Sequence, residues 1–350
     1  MQTIQKPQAL SLSDIEGVRI GHAGDDKAKT GVTVLYFPKG AYCGVDISGG
    51  GPASRETPLA IPGTADNRLN ALVFAGGSTF GLAASDGVLR CLEEHGIGYD
   101  TGFARVPLVC QSDIYDLGYG SASVRPGAAM GYAACAAALS ASSTAQGNVG
   151  CGTGATVGKA YGISRAQKGG WGIQALRLGP LTLVAVVCVN AFGDIFRASD
   201  GKKIAGLLTA DRRDSADSVE ALYQAFAPHN LFTGDENSPA GSATGDTGAP
   251  INTTIGAVIT NAAFSKAELC KIASMTRSAY SRCIRPVGTM ADGDTIYAAS
   301  TGSVTADINV VGVLAAQAMA TAIENAVTQA RISEEEFLAN ISYSSSGPSS

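Results

Sequence analysis

Asn252-Thr253-Thr254 stands where a run of Gly, Ser, Asp, Thr and Pro (residues 235–250) gives way abruptly to the apolar stretch TTIGAVITN. A hydroxyl at the first position of a rigid strand is well held, and an Asn–Thr bond in a strained turn is a bond that can be cut. A threonine at a chain N-terminus carries a nucleophile and, in its own α-amine, a general base. That amine titrates at roughly 7.7–8.0 when unperturbed, so a neutral fraction exists near neutral pH. To create such an N-terminus inside a chain, the hydroxyl must first attack the carbonyl before it; an ester forms and water cuts it. Residues 237–254 supply the loose approach and the hydroxyl, while the strain has no signature in the sequence. A Thr-rich strand start is also what many ordinary strands show.

Other chemistries fit less well. GTGATVGKA resembles a phosphate loop, but Thr153 and Ala160 stand where that motif needs Gly and Ser or Thr. GGSTFG lacks the second glycine of a nucleophile elbow, since position 80 is Phe80. The three histidines, His22, His95 and His229, share no metal-ligand spacing, which argues against a zinc site or a Ser-His-Asp triad. Asp292-Gly293-Asp294 lacks the remaining ligands of a calcium loop. Cys151 is a rival nucleophile on paper, without a histidine near it in sequence. No feature calls for a metal or an organic cofactor.

The elements that must position these residues are legible as alternating runs. Apolar strand-like stretches recur at 31–38, 70–77, 181–190, 254–261 and 294–301, several of them apolar on both faces, as in sheets covered on both sides. Helical patterns lie at 79–96, 127–140, 215–227, 265–282 and 307–330, with Ser265 and Glu268 spaced as a capping box. Residues 235–250 form the one convincing linker, and the tail 343–350 reads as loose. With 45% apolar residues in 350, a substantial core is expected, and 44 glycines against 16% charged residues suggest tight turns and close backbone approaches. The net charge of −5, without a basic block, argues against nucleic-acid binding. The N-terminus has no signal-peptide shape, and the apolar stretch from Val310 is broken by Gln317 and Glu324, so it reads as a buried helix rather than a membrane span. Eight cysteines without a C-x-x-C pair read as reduced thiols, and a cytoplasmic protein is the expectation.

NTTIGAVITNAAFSKAEL followed by RPVGTMADGDTIYA resembles the DmpA-type L-aminopeptidase/D-esterase family of self-processing N-terminal-nucleophile hydrolases. Within it, the Asn-Thr-Thr junction is similar to the branch containing the nylon-oligomer (aminohexanoate-oligomer) hydrolases. GVRIGHAGDDKAKTGVTVL, SGGGPASRET, LVFAGGSTFGLAASDGV, IYDLGYG, GTGATVGKAYG and VVCVNAFGDI follow in that family's order, so the resemblance spans nearly the whole chain. It implies cleavage between Asn252 and Thr253, giving a large chain 1–252 and a small chain 253–350 of a single domain. The implied fold is a four-layer αββα sandwich, and the implied assembly a homotetramer.

The resemblance also implies roles. Thr253 attacks the substrate carbonyl and becomes acylated; relatives often carry Ser there. Asn190, closing the strand 181–190, donates its amide to the developing oxyanion, although an Asn can also simply end a strand. Lys159, after a Gly-rich loop, approaches the Thr253 hydroxyl or the acyl oxygen and lowers local pKa values by its charge, although lysines are commonly exposed. Asp292 and Asp294, two apart on extended backbone, can face one side. One would then hydrogen-bond the Thr253 hydroxyl and the other hold the first or the ammonium; Asp292 matches the Ser-nucleophile relatives less well. Tyr115 contacts the amine or the substrate, or is a buried tyrosine with its hydroxyl satisfied. The expected substrates are small amides: peptides, amino-acid amides or esters, and linear ω-amino-acid oligomers. An acyltransferase like the ornithine acetyltransferases, or a non-catalytic binding protein on the same fold, are the alternatives.

Overall fold

Residues 6–224 and 252–341 are described by the computed structural model. The linker 235–250, the tail 343–350 and the end of the helical pattern 215–227 lie outside them. Ten strands carry the architecture: β1 (Gln8–Leu10), β2 (Arg19–Asp25), β3 (Thr30–Ile47), β4 (Ala53–Arg55), β5 (Leu69–Ala75), β6 (Val109–Asp113), β7 (Gly170–Leu178), β8 (Leu181–Asn190), β9 (Thr253–Ala262) and β10 (Thr295–Val304). They pair in the order β1-β7-β8-β9-β10-β3-β5-β6-β4, with β2 added on β3.

The 18-residue β3 belongs to two sheets. Its last residues, Tyr42–Ile47, pair with β10, whereas Thr30–Tyr36 pair with β2 and β5. The register slips between Tyr36 and Ala41, where Pro38 and Gly40 (φ 67°) break the ladder. Pro38 removes a ladder donor and Gly40 accepts a left-handed conformation, so the strand turns from one sheet into the other. The inner faces of the two sheets meet in one core, with Leu35, Leu72, Phe74, Trp171, Val186, Ile255 and Tyr297 all buried in it. Helices α1 (Ala84–Glu94) and α2 (Ala128–Ser140) cover the outer face of the β2-β3-β5 sheet. Helices α3 (Lys266–Cys283) and α4 (Ile308–Gln329) cover the outer face of the β7-β8-β9-β10 sheet. The layers are therefore αββα, which is why so many strands are apolar on both faces.

Local signals set several boundaries. Ser265 and Glu268 form the reciprocal capping box at the start of α3, and Asp307 caps α4. The helical pattern at 79–96 opens as a 3-10 turn, Ser78–Ala83, before α1 begins. By length and composition α4 could cross a membrane, but 67% of its most apolar window is buried against the sheet. All eight cysteines are free, and seven are fully buried.

Five strands, β1, β2, β4, β6 and β7, fall outside the apolar runs because they are short or carry glycine or polar residues, and the packing explains the glycines of β2 and β7. A Cβ on Gly21 of β2 would lie 2.2 Å from the Ala134 carbonyl of α2, and one on Gly172 of β7 would lie 1.9 Å from the Ala322 carbonyl of α4. Helix backbone rests directly on the sheet at both places. Gly172→Ala is therefore expected to destabilise the chain by about 1–3 kcal/mol through forced separation of α4 from β7. A lower urea midpoint at unchanged slope checks this, and an unshifted midpoint would contradict it.

Candidate active site

Strand pairing alone assembles most of the site. In the antiparallel β8–β9 ladder, Asn190, the last residue of β8, lies opposite Thr253, the first of β9. On the other side β9 runs parallel to β10, with Ile255 opposite Thr295. The pairing extends back one step, as Asn252 bridges Asp292 in the loop that feeds β10. Asn252 N–H donates to the Ala291 carbonyl (2.8 Å) and Gly293 N–H donates to the Asn252 carbonyl (2.8 Å). The Asn252–Thr253 peptide is thus clamped between two strand ends, with Asn252 fully buried and Thr253 only 3% exposed.

The Thr253 hydroxyl donates to the carbonyl of the preceding residue, Asn252, at 2.5 Å. This differs from the expected contact with an aspartate. Asp294 instead accepts from the main-chain N–H groups of Thr254 (2.7 Å) and Gly288 (2.9 Å). Asp292 accepts from both the N–H and the hydroxyl of Thr289. The physical reason is local: in the uncut chain Thr253 has no ammonium, its nearest acceptor is the carbonyl beside it, and buried amides claim the carboxylates.

Lys159 is buried rather than exposed, and its ammonium donates to the main-chain carbonyl of Asn190 (3.1 Å) and to its Oδ1 (2.9 Å). The loop reaches this depth because Gly158 and Lys159 N–H donate to the carbonyls of Gly193 and Phe192. Asn190 Oδ1 also accepts from Thr156 N–H, and its Nδ2 donates to the Tyr115 carbonyl (2.9 Å). A primary amide has two N–H donors, so this orientation leaves one for a ligand. Tyr115 is therefore tied to the group through its main chain rather than through its phenol.

Burial governs the protonation of these groups. Desolvation pulls Lys159 down to about 7, against the opposing pull of Asp292 and Asp116. Desolvation raises Asp292, moderated by Thr289 and by Lys159. Asp294 is pushed well above the ordinary carboxylate range, first by burial and then by the charge of Asp292. Two carboxyls raised by burial and one lysine lowered by it thus share a buried space, and the lysine changes its protonation near neutral pH.

Two supporting residues had no role in the sequence reading. Asp116, buried, accepts from the Thr30 hydroxyl and Gly77 N–H (both 2.7 Å), and burial raises it to about 6. It directly follows Tyr115, and a buried acid inside IYDLGYG was the available signal. Lys168, buried and lowered to about 7 by desolvation, donates to the carbonyls of Ala155 (2.7 Å) and Thr153 (3.1 Å), holding the Gly-rich loop that leads to Lys159. The histidines stand apart. His22 contacts Thr33 and the edge of Trp171, and His95 contacts the Cys91 carbonyl at the end of α1, while His229 lies outside the described residues. Cys151 is fully buried in the core between the sheets.

Residues 11–336 match the profile of peptidase family S58. An uncharacterized aminopeptidase of Mycobacterium tuberculosis is 37% identical over 308 residues, covering 84% of this chain and 82% of that one. A 6-aminohexanoate-oligomer endohydrolase of an Agromyces species is 34% identical over 291 residues, covering 83% of this chain and 75% of the relative. Among solved structures, a Burkholderia β-aminopeptidase superposes with a TM-score of 0.63 at 19% identity, covering 93% of this chain and 88% of that one. The L-aminopeptidase D-Ala-esterase/amidase of Ochrobactrum anthropi, described as a variant of the Ntn-hydrolase fold, superposes at 0.59 and 16% identity, covering 91% and 85%. The chain is an amide-bond hydrolase built on the N-terminal-nucleophile hydrolase fold, and it belongs to peptidase family S58.

Proposed function

We propose that the chain matures by cutting itself between Asn252 and Thr253, and that the freed Thr253 then hydrolyses small amides through an acyl-enzyme. The observation that carries this reading is the Thr253 hydroxyl lying 2.5 Å from the carbonyl oxygen of the peptide bond it must attack. Once cut, Thr253 has an α-amine beside its hydroxyl, and the hydroxyl is released from the Asn252 carbonyl. Asn190 offers its unused N–H to the oxyanion of the substrate's tetrahedral intermediate. Asp292 is the counter-charge for Lys159, and Asp294, held by the main-chain amides of Thr254 and Gly288, fixes the start of the strand that carries Thr253.

Before the cut no α-amine is available, and Lys159 is the base this reading assigns to that step. Below about 7 it is an ammonium and cannot accept a proton; above about 7 it is neutral and can. Self-cleavage is therefore expected to speed up as pH rises through about 7 and to level off above it. In Lys159→Met that limb disappears and the rate falls by about 10²–10⁴. A rate independent of pH in the parent chain would remove Lys159 from this role.

The substrate class follows the relatives: N-terminal residues of peptides, β-peptides, amino-acid amides and linear ω-amino-acid oligomers. Comparison of kcat/KM over aminoacyl p-nitroanilides, β-dipeptides and aminohexanoate oligomers tests it, and acid release only with an amine acceptor present would indicate an acyltransferase instead. Assembly into homotetramers belongs to the same reading, and sedimentation velocity would show or exclude it.

A further inference from the structure

We infer that the main-chain N–H of Gly293 is the oxyanion donor for self-cleavage, a task separate from that of Asn190. The inference rests on the self-cleavage reading above. In that step the Thr253 Oγ–carbon bond forms at the Asn252 carbonyl, the carbon–nitrogen bond breaks, and the hydroxyl proton ends on the departing nitrogen, which becomes the α-amine. Water then divides across the ester: its hydroxyl completes the Asn252 carboxyl group and its hydrogen restores the Thr253 hydroxyl. In both halves negative charge develops on the Asn252 carbonyl oxygen.

In the uncut chain that oxygen receives the Thr253 hydroxyl and the Gly293 N–H, at 2.5 and 2.8 Å. The hydroxyl surrenders its hydrogen bond when its oxygen turns to attack, whereas the Gly293 amide keeps its aim. Asn190 is poorly placed for this oxygen. It sits on β8, across from Thr253, while Asn252 pairs on the opposite side, with Asp292. The Asn190 Nδ2 is also turned to the Tyr115 carbonyl.

The Gly293 donor is held ready. Asn252 N–H reaches the Ala291 carbonyl, Asp292 N–H the Thr289 carbonyl (3.1 Å), and Gly51 N–H the Asp292 carbonyl (2.9 Å). A donor fixed in this way needs no reorganisation as charge develops. The identity of residue 293 follows from space. A Cβ there would stand 2.8 Å from the Thr253 hydroxyl oxygen, 2.8 Å from the Gly51 carbonyl oxygen and 3.2 Å from Pro52 Cα, and no left-handed φ is involved. Glycine alone lets the amide approach the scissile carbonyl without pushing the hydroxyl aside.

The test removes the donor, with only a weakening of the Asp292 carbonyl as an acceptor beside it. The full chain is made by cell-free translation with glycolic acid in place of Gly293, which turns that amide into an ester, and separately with glycolic acid in place of Gly50, which removes a neighbouring loop hydrogen bond, to the Thr289 carbonyl (3.1 Å), that touches neither Asn252 nor Gly293. Mass spectrometry follows the appearance of chains ending at Asn252 and beginning at Thr253. The ester at 293 is expected to slow this by about 10²–10³-fold, and the ester at 50 to leave it close to the rate of the parent chain. Parent-like cleavage with the 293 ester, or equal slowing by both esters, would overturn the inference while leaving self-cleavage standing. A parent chain that never cuts itself would overturn the reading beneath it.

Discussion

Thr253→Ala leaves the polypeptide in one piece. The parent chain is expected to yield two products, residues 1–252 and a chain beginning Thr-Thr-Ile-Gly, whereas the alanine variant stays intact on denaturing gels and in mass spectra. Turnover of an aminoacyl p-nitroanilide falls with it by about 10⁴ or more, the scale on which removal of a covalent nucleophile acts. Loss of the fold does not explain such a result. The hydroxyl donates only to a carbonyl that Gly293 already serves, so its removal changes stability by about 1 kcal/mol or less. Thr253→Ser supplies the complementary outcome: it keeps the hydroxyl and loses only a methyl that restricts the rotamer, so it should still cut and still turn over substrate. An uncut parent chain with full activity would end the proposed mechanism.

The second large effect belongs to Asn190. Asn190→Ala is expected to lower kcat by about 10²–10³ with little change in KM, because the lost donor acts on charge that exists only in the transition state. The residue is fully buried and bonded to Lys159, Thr156 and Tyr115, so its amide is oriented before any substrate arrives. Self-cleavage supplies the contrast. If Gly293 serves that carbonyl, Asn190→Ala slows the cut far less than it slows turnover. A KM rise at constant kcat would instead mark Asn190 as a ground-state binding residue.

Much of the fold was legible because its long elements carry strong periodic signals. The run 181–190 coincides with β8, 254–261 lies within β9, and the helices begun by Ser265 and Asp307 follow their caps. What was hidden is equally specific. In β3 the dipeptide before Gly40 reads as a strand end, yet the chain resumes its ladder in the second sheet, since a bend between sheets and a turn use the same residues. The glycines of β2 and β7 weaken any strand pattern, and their purpose appears only when a helix lies on them.

The candidate site divides in the same way. The Asn252–Thr253 junction is a covalent neighbourhood, so the nucleophile and the bond beside it could be read directly along the chain. Everything that would make that bond reactive comes from elsewhere in the sequence. Lys159 looks like an ordinary surface lysine until its loop is pinned to Phe192 and Gly193 and water is removed from around it. Asp294 looks like a partner for the hydroxyl until the Thr254 amide claims it. Gly293 offers only a backbone N–H, which every residue but proline possesses, so no side-chain pattern announces it. Chemistry carried by one peptide bond is written in one dimension; burial, pairing and the aim of a donor exist only after strands distant in sequence lie side by side.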